Sequence, residues 1–129
     1  MSDDVTPAVA YDLDHRTCLG LLATQRIGRL VIAGDQPAVI PVHFTVTEGS
    51  LVVVAATAED LIVDVDEFVL FEADGVDEQQ QAGWSVLMRG RIERRAERGT
   101  PVSVAIVELS GRWVRGEHTS PPLDGRAYL

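Results

Sequence analysis

Few side chains in this sequence are chemically armed. His15 and Cys18 stand three residues apart, a spacing that on a helix puts both within reach of one metal ion. Two ligands are too few for a structural zinc site, and His43 and His118 lie far off in sequence. Cys18 sits in Cys18-Leu19-Gly20-Leu21-Leu22, an apolar setting that keeps a thiol protonated and inert. No GxxxxGK[ST], GxGxxG, HExxH, CxxC or GxSxG pattern occurs. No residue stands out as a general acid or base. On catalytic residues alone the sequence names no reaction.

The elements that must position any site are easier to read. The chain of 129 residues is 46% hydrophobic and 24% charged, a composition for one folded domain with its own core. Its net charge of −9 works against nucleic acid and anionic membranes as partners. One cysteine allows no internal disulfide, and no signal peptide or run long enough to span a bilayer is seen, so a cytoplasmic protein is expected. There is no lysine, so every basic site must be met by arginine.

A helix is predicted over residues 14–25, from Cys18, Leu19, Leu21 and Leu22 at three- and four-residue spacing, with Asp12 or Asp14 as cap. Six β-branched runs follow, at 27–33, 38–47, 51–57, 68–73, 84–95 and 102–109. Residues 34–37 and 47–50 have hairpin-turn composition, and 59–66 fits either a helical turn or a crossover. Alternation puts Ala38, Ile40, Val42, Phe44 and Val46 on one face of their strand. In the same way Trp84, Val86, Met88, Gly90 and Ile92 oppose Ser85, Leu87, Arg89, Arg91 and Glu93. The expected fold is mainly β with one N-terminal helix, an antiparallel barrel over 12–112 with tails at 1–11 and 113–129. The two apolar faces exceed what one small barrel and a short helix can cover, so a homodimer is expected.

The order of Ile27-Gly28-Arg29-Leu30-Val31, Pro41-Val42-His43-Phe44, a strand ending in Thr57, Val69-Leu70-Phe71-Glu72-Ala73-Asp74 and Gly83-Trp84-Ser85-Val86 before Arg89-Gly90-Arg91 is more specific than any one motif. Together they resemble the pyridoxamine 5′-phosphate oxidase-like, FMN-binding split-barrel family, in its small bacterial branch. The resemblance implies a split β-barrel and a homodimer with FMN held between subunits. It also implies an oxidoreductase whose cofactor carries the hard step while the protein orients it. By resemblance the strand holding Val42, His43 and Phe44 runs beside the flavin ring. Thr57 helps hold the phosphate, and Trp84 and Ser85 lie near the ring.

Each position has a plainer alternative. Trp84 is core or dimer contact as readily as a flavin platform, His43 meets either a flavin carbonyl or water, and Arg29 is either a surface residue or a phosphate ligand. One departure is specific. Family members carry a lysine or arginine shortly after the Thr57 position, whereas here Ala58-Glu59-Asp60 follows. Two carboxylates near a phosphate weaken its binding, and Arg29, or one of Arg89, Arg91 and Arg94, could offset part of that. The alternative is a flavin-poor relative that binds another small molecule or serves as a dimeric interaction module.

Overall fold

The computed structural model describes residues 8–32, 35–48, 50–55, 65–94 and 102–116. The order is β1 (Ala8–Leu13), α1 (His15–Ala23), β2 (Ile27–Ile32), β3 (Ala38–Thr47), β4 (Ser50–Ala55), β5 (Phe68–Asp77), β6 (Ala82–Arg94) and β7 (Val102–Gly116). Every ladder is antiparallel. The strand order β1-β7-β4-β3-β2-β5-β6 is closed by a further β6–β7 pairing, so β2 to β7 form a ring with β1 attached outside it.

Strand β7 makes the split. One of its edges pairs with β6 from 103 to 115. The other edge pairs with β4 over 102–105 and with β1 over 111–116. Residues 106–110 lie between those two ladders and have a strand partner only in β6 among the described residues.

Helix α1 starts where Asp14 accepts a hydrogen bond from the Thr17 N–H at 2.7 Å, which holds the Asp14 carboxyl below its ordinary pKa. It ends at Ala23, two residues before the predicted end, as the Thr24 hydroxyl donates to the Leu21 carbonyl at 2.6 Å. Cys18, Leu21 and Leu22 are fully buried against Leu30, Phe71, Val86, Met88, Ile92 and Val104 in one core. Phe44 meets Phe71 edge-on with centroids 4.8 Å apart. Burial raises the Cys18 thiol pKa, which keeps it un-ionised. Among the described residues no helix is long and apolar enough to cross a membrane.

Four expectations are corrected. There are seven strands rather than six, and β1 precedes the helix. Ala8–Leu13 and residues 113–116 belong to paired strands and not to tails, because β1 takes its register from β7 (Ala8 opposite Gly116, Leu13 opposite Gly111). Strand β5 continues past Ala73 to Asp77, since Gly75 gives the Trp84 indole its seat: a Cβ there would lie 2.5 Å from Trp84 Nε1. Strand β7 likewise runs through Gly111, where a Cβ would lie 2.6 Å from Cys18 Sγ. The Gln79-Gln80-Gln81 run is the β5–β6 hairpin turn, with Gln81 at φ 48° and the Gln80 N–H donating to Asp77 Oδ1 at 3.2 Å.

Candidate functional site

Strand pleating divides the sequence-derived site residues between two faces. Val42 and Phe44 point inward and are buried. Trp84 also points inward, half-buried over Gly75 and packed on the core, opposite Trp113 in the β6–β7 ladder. His43 and Ser85 point outward and are exposed. Thr57, with Glu59 and Asp60, lies outside the described residues. Adjacent residues of one motif, such as Trp84 and Ser85, therefore do different things: one seats the core and the other faces outward.

The basis expected for a dimer is also corrected. The faces headed by Trp84 and Ala38 are covered within this one chain, with Val86, Met88 and Ile92 at 0% exposure. Uncovered apolar side chains lie on the opposite face, with Val39 62%, Phe68 50% and Leu87 44% exposed.

That outer face is ordered in rows by the ladder registers. One row reads Val39, Val31, Leu70, Arg89, Glu108. The next reads Pro41, Arg29, Glu72, Leu87, Ser110. A third carries Asp74, Ser85, Arg112 and Asp12. Between these side chains run three hollows. The first, of about 350 Å³, is lined by Asp12, Ser85, Leu87, Ser110, Gly111 and Arg112. The second, of about 340 Å³, has Leu70, Leu87, Arg89, Glu108, Leu109 and Ser110. Leu87 and Ser110 are common to both. A third, of about 140 Å³, continues past Arg89 to Phe68 and Val31. Together they make one trough across β2, β5, β6 and β7.

Charge on this face is mostly paired. Arg29 Nη1 meets Glu72 Oε1 at 2.7 Å and Asp74 Oδ2 at 3.1 Å. Arg91 Nη1 meets Asp66 Oδ1 at 2.9 Å. Arg112 Nε stands 3.7 Å from Asp12 Oδ1, a loose contact. The Arg89 guanidinium lies 4.3 Å from the centroid of Phe68 and has no carboxylate partner among the described residues. Burial raises the Glu72 pKa, and hydrogen bonding and repulsion from Asp74 raise it further against the pull of Arg29.

Leu87, Glu108, Ser110 and Arg112 line the trough and were not singled out from the sequence as site residues. Period-two alternation already places Leu87 beside Ser85 on the outward face; only the β6–β7 register brings Glu108, Ser110 and Arg112 to them.

A closed antiparallel ring, split along β7 and bearing an apolar trough on its outside, defines a split-barrel protein. Residues 14–129 match the family model for pyridoxamine 5′-phosphate oxidase, and the chain belongs to that family. No curated protein matches it. Among solved structures it is similar to the FAD binding protein from Mycobacterium smegmatis, with TM-score 0.69 and 29% identity over 81% of this chain and 98% of that one. It is also similar in fold to a FAD-binding protein from Mesorhizobium loti, with TM-score 0.69 and 20% identity over 84% of this chain and 98% of that one.

Proposed function

We propose that this protein binds a flavin, FMN in the first instance, in the outer trough and acts as a cytoplasmic flavin-dependent oxidoreductase on a small molecule. One observation carries the reading: the 350 Å³ hollow joins the hydroxyls of Ser85 and Ser110, the apolar Leu87 and the loosely held Arg112. Its size falls within the ordinary range for cofactor sites, and an apolar floor with a few polar groups suits a flat heterocycle. Arg112 offers the hollow a cation, and Ser85 and Ser110 offer donors to ring or phosphate oxygens. The strand of Val42, His43 and Phe44, with the backbone of Val42 and His43 toward the ring, and the hydroxyl of Thr57 keep the roles that the family resemblance implies, while Trp84, packed on the core, supports this face from within. When bound, the flavin supplies hydride transfer, and the chain's part is to orient it and keep water away. That the two similar structures are FAD-binding proteins supports a flavin over other cofactors.

The site is completed by a homodimer. Val39, Phe68 and Leu87 leave an apolar patch beside the trough that a second copy would cover, and closure between subunits desolvates the hollows. Light scattering should give a dimer at micromolar concentration, and Leu87→Asp should give a monomer that no longer binds flavin.

The test of the cofactor is titration with FMN and FAD, alongside Asp60→Lys. With carboxylates in place of the family's cation, wild-type FMN binding is expected to be weak and the lysine to tighten it by about tenfold or more. Nanomolar FMN binding with no gain from the lysine would show that the phosphate is held elsewhere. No binding of either flavin, with or without the lysine, would favour the second reading, a small-molecule-binding or interaction module, which the Glu59-Asp60 pair also supports.

A further inference from the structure

We infer that the hollow between Arg89 and Glu108 is a substrate pocket beside the flavin site, and that it selects molecules with an amide-type polar end. The inference rests on the flavin reading of the neighbouring hollow, with which it shares Leu87 and Ser110.

Arg89 and Glu108 stand directly opposite each other in the β6–β7 ladder, and both line the same hollow. Residues so placed have Cβ atoms about 4.5–5.5 Å apart, close enough for an ion pair. None forms. The Arg89 guanidinium turns instead onto the face of Phe68, at 4.3 Å, while Arg29, Arg91 and Arg112 each stand by a carboxylate. Stacking fixes the plane of the guanidinium but leaves its N–H edge free to donate. Glu108 opposite has no ion-pair partner among the described residues and can accept. Leu70, Leu87 and Leu109 supply an apolar bed between the two.

A donor and an acceptor side by side on an apolar bed fit a group that presents a C=O next to an N–H: a carboxamide, imide or ureide. Arg89 donates to its oxygen and Glu108 accepts from its nitrogen. A carboxylate would satisfy Arg89 but meet Glu108 as a like charge, and an ammonium would do the reverse. Selection against the wrong group comes from the partner left unpaired, an effect that grows when a second subunit excludes water.

The test uses three probes of similar size on the full chain saturated with FMN: benzamide, benzoate and benzylamine, followed by the shift of the flavin absorbance and by ligand-observed NMR. Benzamide should bind at least about tenfold more tightly than either ion, and Arg89→Gln and Glu108→Gln should each weaken it about tenfold. FMN affinity should stay unchanged in Glu108→Gln, and the dimer in both variants. Preference for benzoate, lost only in Arg89→Gln, would overturn the proposal in favour of an anion site. Dissociation of the dimer in both variants would overturn it by showing that the two charges meet their partners across the interface. Equal binding of all three probes would overturn it too. Failure of the flavin reading is separable: FMN would not bind, while NMR would still show the benzamide preference and its loss in the two variants.

Discussion

The two faces of β6 differ in composition and meet opposite fates. Inward, Val86, Met88 and Ile92 are sealed by α1, β5 and β7. Outward, Leu87 shares the surface with Ser85, Arg89 and Arg91, and stays 44% exposed among the described residues. Alternating hydrophobicity separates these faces, and the company each apolar residue keeps then decides its role. An inner residue has neighbours of its own kind on every side. An outer one lies among hydroxyls, arginines and carboxylates, a mixture suited to holding a ligand.

The largest expected effect sets the faces against each other directly. Phe71 is fully buried, edge-on to Phe44, so Phe71→Ala should cost about 3–5 kcal/mol, a large part of a small domain's stability. Leu87→Ala on the outer face should move the stability of the chain by less than about 0.5 kcal/mol at fixed protein concentration. Urea unfolding of both, watched at high dilution, checks the contrast. Equal losses would mean that the outer face belongs to the core.

Trp84 tests which side of the comparison a motif residue is on. Its indole rests on Gly75 and packs on the core while half-buried, so Trp84→Ala should cost about 3 kcal/mol, the low end for a large aromatic. The flavin-free protein should show the full loss. An unchanged thermal midpoint there would return Trp84 to the ligand side.

Much of this division was legible in the sequence, because alternation along 38–47 and 84–92 assigns each residue to a face without knowledge of the partner strand. The helix was legible for the same reason, through Cys18, Leu21 and Leu22. Long-range register was not. Ala8–Leu13 is a short strand with mostly exposed side chains, and only its pairing with β7 makes it one. Asp74-Gly75 and Ser110-Gly111 have the composition of turns, yet each glycine marks a strand passing close under another side chain. Which arginine keeps a free edge was also hidden: Arg29, Arg89 and Arg91 are alike in sequence, and the ladders decide that two of them meet carboxylates.

A smaller effect probes the seam between helix and barrel. Gly111→Ala places a methyl against Cys18 Sγ and near the Ser85 carbonyl, an overpacking that should cost about 1–3 kcal/mol. Cys18→Ala in the same chain should restore part of the loss by removing the sulfur. If the double variant were no more stable than Gly111→Ala alone, the strain would lie in the backbone at Ser85. That distinction sharpens the comparison, because Ser85 is the outer-face residue whose position this glycine protects.

The smallest expected effect is a slope in pH, and it comes from the one carboxyl that sits partly in each region. Glu72 lies on the outer face, yet burial is the main cause that raises its pKa above the ordinary value of 4.5, with Asp74 adding to the rise. The native state therefore holds the Glu72 proton more strongly than the unfolded chain does. In the window from pH 4.5 up to the raised value, unfolding releases that proton, so stability falls as pH increases through it. Had the Arg29 contact at 2.7 Å dominated, the carboxyl would be pushed down and stability would instead rise with pH over a lower window. Urea midpoints measured at half-unit steps across this range, at one protein concentration, should decline in the wild type and flatten in Glu72→Gln. A rising midpoint that Glu72→Gln abolishes would show that the arginine governs this site and that Glu72 belongs with the solvated outer charges.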